Sequence, residues 1–168
     1  MSVLLEELEN KYGKCFRDVF SKFNGYDLTG YLEDEEHPYS KFELSLRYLM
    51  ADFFSRTTEN VPENILTLFE PTNDKNKMYL LGNNKIYEFS IENFKISGNV
   101  AVSDFKDLES YEFSYEFEDG NPSEHNFFKP TVNAIHLVFK NRAVSLVKTD
   151  FSKYHFEDIV NYVIREIQ

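Results

Sequence analysis

From about residue 64 to its end the chain alternates apolar and polar residues in short runs, then closes on one amphipathic stretch. Alternation at period two puts successive side chains on opposite faces of a strand, so each run can bury one face and wet the other. The cleanest run is 111–117, where Tyr111, Phe113, Tyr115 and Phe117 alternate with Glu112, Ser114 and Glu116. Ile65, Leu66, Leu68 and Phe69 open the series, and 78–81 follow. Gly82-Asn83-Asn84 is a turn signal leading into 85–91, where Tyr87, Phe89 and Ile91 alternate with Glu88 and Ser90. Residues 94–103 continue, with a break at Gly98. Ile135, Leu137 and Phe139 give another inward face. Asn141-Arg142 is a tight-turn candidate before Val144, Leu146 and Val147. Phe156, Ile159, Val160, Val163, Ile164 and Ile167 then fall on one helical face, with Glu157 and Asp158 in the first turn and Arg165 in the last, both favourable to the helix dipole.

The first sixty residues have a different period. Leu4, Leu5, Leu8, Tyr12, Cys15, Phe16, Val19, Phe20 and Phe23 recur at three and four, which predicts a helix over 3–24 stopped by Asn24-Gly25. A polar connection follows, ending in Glu33-Asp34-Glu35-Glu36-His37-Pro38. Ser40 and Glu43 have capping-box spacing, and Phe42, Leu46, Leu49, Met50 and Phe53 form the stripe of a second helix. The polar stretch 57–62 reads as a link. The chain therefore divides into a helical subdomain at 1–60 and a β-rich part with its closing helix at 61–168. No internal repeat or low-complexity segment is evident.

At 168 residues the chain can bury roughly 70% of its unfolded surface. Its 17 Phe and 11 Tyr supply the core without need of disulfides or metals. The formal net charge of -11 opposes phosphate backbones and anionic lipid. Nucleic-acid and membrane-surface partners are therefore not expected. Cys15 is the single cysteine, so no intramolecular disulfide can form, which suits a reducing compartment. Glu6, Glu7 and Glu9 interrupt any signal-like apolar stretch, and no apolar run reaches bilayer-spanning length. A cytoplasmic location is the expectation.

The order of elements over about 65–168 resembles the PH-like domains of bacteria. The residues behind this are Met78-Tyr79-Leu80-Leu81, a turn, Ile86-Tyr87-Glu88-Phe89, then Val102-Ser103-Asp104-Phe105-Lys106-Asp107-Leu108 leading into 111–117. The hairpin 135–147 and the helix 156–167 complete it. The whole chain is also similar to small uncharacterised proteins of Bacillus-type bacteria and their phages. The PH-like resemblance implies about seven strands in two packed sheets with the C-terminal helix closing one end. With the helices read in 1–60, the expectation is an α+β protein, an N-terminal helical pair packed on a PH-like antiparallel barrel closed by that helix. The family's phosphoinositide ligands are held by basic residues on the loop joining the first two strands, here about 71–77. That loop offers Lys75 and Lys77 beside Asp74. Two such residues, each contributing about 1 kcal/mol near an anionic surface, do not offset the negative field. Peptide binding and protein docking are the family uses that remain.

No candidate site carries a catalytic signature. The acidic run 33–36 with His37 is contiguous, whereas a Ca²⁺ loop needs spaced oxygens and a glycine turn. A solvated loop explains it. His37, His125, His136 and His155 are scattered, and Cys15 lies on an apolar stripe, as a buried structural thiol does. Ser103, Ser110 and Ser114 sit in strand patterns, outside any nucleophile elbow. Glu112 and Glu116 share a strand face, which ordinary solvation explains as well as a paired-carboxylate site. No cofactor or metal is implied. The long connection 118–131 carries Phe127 and Phe128 between Pro122 and Pro130, and these two rings are the candidate partner-binding residues. The alternative is that they fold back on the core. The leading expectation is a non-catalytic protein-interaction or regulatory module with a protein or peptide partner. An acidic mimic of nucleic acid that acts as an inhibitor, or an enzyme with an unrecognised site, are the alternatives.

Overall fold

The computed structural model describes residues 40–92, 97–117 and 129–168, with the isolated positions Glu6, Asn10, Phe23 and Asn24. In chain order the elements are β1 (Phe23–Asn24), α1 (Ser40–Arg56), β2 (Ile65–Pro71), β3 (Lys75–Gly82), β4 (Lys85–Glu92) and β5 (Gly98–Asp104). A 3-10 turn (Phe105–Asp107) leads to β6 (Leu108–Phe117), β7 (Pro130–Phe139), β8 (Arg142–Val147) and α2 (Phe156–Ile167). The strands form two sheets, one ordered β1-β2-β3-β4-β5 and the other β6-β7-β8. The chain divides into compact units at 1–102 and 103–168.

In the first unit β2, β3 and β4 form an antiparallel meander. The β3–β4 turn is two residues long, with Asn83 at φ 55° and Asn84 at φ 60°. Positive φ at both positions marks the primed turn whose twist suits a hairpin, and asparagine tolerates that region. The β2–β3 turn is held by Thr72. Its amide donates to the Lys75 carbonyl at 2.8 Å, and its hydroxyl accepts from the Lys75 amide at 3.0 Å. One face of this sheet packs on α1. Phe42 stacks on Phe69 at 5.1 Å, while Phe53 and Phe54 meet Tyr87 and Phe89 edge-on or tilted. The residues of β3 from Met78 to Gly82 are all buried, so the central strand is covered on both faces. That explains why 78–81 reads as a continuous apolar run rather than an alternating one.

In the second unit β7 is central. Ile135, Leu137, Phe139, Val144 and Leu146 are buried on the strands, and Phe156, Ile159, Val160 and Val163 are buried on α2. Phe105 of the 3-10 turn lies edge-on to Phe139 and to Tyr162, at 5.8 and 6.1 Å between ring centres. The start of α2 is set by a turn over 149–152. Ser152, fully buried, accepts the Thr149 amide on its hydroxyl at 2.8 Å. Its carbonyl accepts from the amides of His155 and Phe156 at 3.0 and 2.8 Å.

The expected barrel is not formed. A closed barrel requires every strand to have a neighbour on each side. Here β6 and β8 each pair only with β7, and no strand of one sheet pairs with the other among the described residues. The chain leaves β5 through the 3-10 turn, where the Asp104 carboxylate accepts from the Lys106 amide at 3.0 Å, and then starts a new sheet. Hydrophobic alternation fixes which face of a strand is buried. It does not fix which strands pair at the ends of a series. The expected N-terminal helical pair is likewise not shown. Its second member is α1, whereas most of 3–24 lies outside the described residues. Glu6 and Asn10 are helical, but Phe23 and Asn24 form a strand parallel to β2, with Phe23 opposite Ile65.

Candidate docking edge

Ten-residue β6 is antiparallel to β7, with Tyr111 opposite Leu137, Glu112 opposite His136 and Phe113 opposite Ile135. Its other side has no strand partner among the described residues. A row of backbone N–H and C=O groups on that side is open to another chain. The register slips twice against β7. Glu109 is the extra residue at the first slip and Asn133 at the second.

The side chains of β6 depart from the expected buried face. Tyr111 and Tyr115 are each 53% exposed and Phe117 is 64% exposed. Phe113 is half-buried, its ring 5.8 Å from that of Tyr111. Val138, on β7 opposite Ser110, adds another exposed apolar side chain. The alternation in the sequence is therefore that of a strand, but its aromatic half meets solvent. An aromatic strand at a sheet's open edge is an aggregation hazard unless charge protects it. Glu109, Glu112 and Glu116 supply that charge.

These three carboxylates are not equivalent. Glu116 forms an ion pair with Lys148. Glu109 and Glu112 have no hydrogen-bond or ion-pair partner among the described residues. His136, across from Glu112, is engaged instead with Ser145, Nδ1 to Oγ at 2.9 Å. The strand also contains a tandem tetrapeptide, Ser-Tyr-Glu-Phe at 110–113 and again at 114–117, a repeat that a search at the length of whole structural units passes over.

The other candidates do not converge. Phe127 and Phe128 lie outside the described residues, as do Cys15, His37, His125 and the run 33–36. His155 is the residue before α2 and makes no side-chain cap. Ser103 is buried, Ser110 is exposed and Ser114 is half-buried, each in a strand. Among the described residues no group of three or more His, Cys, Asp or Glu side chains is gathered around a common point. Lys75 and Lys77 lie within β3 rather than on the expected loop 71–77, and Lys77 meets Glu88 at 3.5 Å. No described helix is long and apolar enough to cross a membrane.

A second polar group lies in the first unit. Glu70 on β2 is opposite Lys77 on β3, and Tyr79 on β3 is opposite Glu88 on β4. Burial pushes the Glu70 carboxyl above the usual glutamate range. The Glu88 charge pushes the same way, while Lys77, a hydrogen bond from Tyr79 and Lys75 oppose it. Glu70 Oε2 is buried with no hydrogen-bond partner among the described residues. Burial is the largest cause, and the Lys77 ammonium offsets it only in part.

No protein-family model matches this chain, and neither a curated protein nor a solved structure does, so the family resemblance gains no support from them.

Proposed function

We propose that this protein is a non-catalytic docking module that receives an extended segment of a partner protein along the open edge of β6. The observation that carries the reading is the combination on one strand of a backbone edge without a strand partner among the described residues and three exposed aromatic side chains. Added strands gain affinity from main-chain hydrogen bonds and specificity from alternate side chains. Exposed tyrosine and phenylalanine supply the large anchors on which hot spots are built. The chemistry of β6 suits binding rather than reaction. Its carboxylates Glu112 and Glu116 are exposed, and Glu116 is ion-paired with Lys148.

Selection of peptides from a random display library on the immobilised protein tests this. Backbone protection mapped to 108–117 by the selected peptide is the expected result. Protection confined to other segments, with β6 still exchanging freely, would place the binding surface elsewhere.

A further inference from the structure

We infer that the segment docked on β6 is cationic, with arginine or lysine at two positions four residues apart and apolar residues on its opposite face. This rests on the docking-edge reading above and adds the partner's chemistry to it.

The spacing comes from the tandem Ser-Tyr-Glu-Phe. A strand advances about 3.4 Å per residue, so Glu112 and Glu116 stand about 14 Å apart. A strand added beside β6 runs at the same rise. It therefore meets a carboxylate every fourth residue on one face, with Ser114 between them, and the aromatic rings on the other face. A basic side chain opposite each glutamate would complete a cross-strand pair, the favourable arrangement for opposite charges. Tyr111, Tyr115 and Phe117 lie on the other face of the strand and meet the apolar side chains of the added segment.

The charge also argues against the other ready occupant, a second copy of this chain. Pairing β6 with itself would crowd Glu109, Glu112 and Glu116 from both copies, and each copy carries a net charge of -11. Like charges across a sheet edge oppose pairing.

The two halves of the repeat are unequal. Glu112 is free to pair among the described residues, whereas Glu116 already has Lys148. Glu112 therefore contributes more to capture of a basic segment, and Lys148 competes with the partner for Glu116. Removing Lys148 should tighten binding, an effect that a generic apolar edge does not predict.

The test uses three synthetic ten-residue peptides of alternating valine and threonine. One carries two arginines four apart, one carries glutamates in their place and one carries glutamines. Binding to the full chain is read by fluorescence anisotropy at low and physiological salt, with exchange protection of 108–117 as the footprint. The arginine peptide should bind best, with affinity falling as salt rises. Glu112→Gln should weaken it about three-fold and Lys148→Met should strengthen it by a similar factor, the scale of exposed ion pairs. The variants' unchanged melting would show that each remains folded. Equal binding of all three peptides with a β6 footprint would keep the docking edge and overturn the cationic partner. No β6 footprint for any of them would overturn both. Concentration-dependent dimerisation that protects 108–117 without peptide would make the occupant a second copy and overturn the inference.

Discussion

The Tyr87 hydroxyl donates to Glu59 Oε2 at 2.9 Å, and Lys85 Nζ reaches both oxygens of the same carboxylate at 3.0 and 2.9 Å. Glu59 lies in the connection after α1, and Tyr87 and Lys85 lie on β4. The contact therefore ties a stretch without regular structure to the sheet. A neighbouring bond, Asn83 Nδ2 to the Asn60 carbonyl at 2.9 Å, fastens the same connection to the hairpin turn. Tyr87 itself is fully buried, and Glu59 accepts its hydroxyl proton.

Tyr87→Phe should cost about 1.5 kcal/mol, the lower end of the range for a hydrogen bond to a charged group. Glu59→Ala should cost more, about 2–3 kcal/mol, because it leaves the Tyr87 hydroxyl and the Lys85 ammonium without this acceptor. Urea denaturation of both variants, compared with the double variant, measures the coupling.

Gly82 closes β3 against the same connection. A Cβ there would stand 2.5 Å from the Pro62 Cβ and 3.0 Å from the Asn64 carbonyl oxygen. Gly82→Ala should therefore destabilise by about 1–3 kcal/mol through overpacking. Asn84→Gly, at φ 60°, should be tolerated, whereas Asn84→Val should be clearly destabilising. Paired thermal melts of the three variants separate the steric effect from the backbone effect.

The Glu70 carboxyl makes stability depend on pH with a definite sign. Burial raises its folded-state pKa above the ordinary 4.5. Between the two values the native state binds more protons than the unfolded chain, so the slope of unfolding free energy with pH is negative. The contribution is present below the unfolded value and is lost as pH rises through the folded one. Glu70→Gln should therefore raise stability at neutral pH and flatten this part of the profile. Denaturant midpoints from pH 4 to 8 for wild type and variant measure it. A variant that loses stability at pH 7 would contradict the account.

The face of α2 formed by Phe156, Ile159, Val160 and Val163 is buried. Val160→Asp places an unpaired charge there and should cost about 4 kcal/mol or more. Glu157→Gln on the exposed side should shift the melt by less than about 0.5 kcal/mol. Chemical denaturation of both variants provides the comparison.

The elements were largely legible in the sequence. The runs 85–91 and 111–117, the turn at Gly82-Asn83-Asn84 and the final helix each correspond to an element. Local periodicity and turn chemistry carry that information. The closure of the strands was not legible, because edge pairing depends on long-range geometry that no period encodes. Nor was the exposure of β6. Tyr111, Tyr115 and Phe117 have the same alternation as a half-buried strand, and alternation does not say whether anything covers the apolar side. The pairing of Glu116, which Glu112 lacks among the described residues, depends on Lys148, 32 residues along the chain and beyond β8 on the far side of β7. The tandem Ser-Tyr-Glu-Phe was readable, yet it falls below the repeat lengths that define folds.

Amide hydrogen exchange over 108–139 tests the central claim most directly. In the free protein the amides of β7, paired on both sides, should be protected, while those of β6 directed away from β7 exchange quickly. With the arginine-bearing peptide bound, those same β6 amides should slow by at least about ten-fold while β7 is unchanged. Uniform protection of β6 in the free protein would show that its edge is already occupied and would contradict the account.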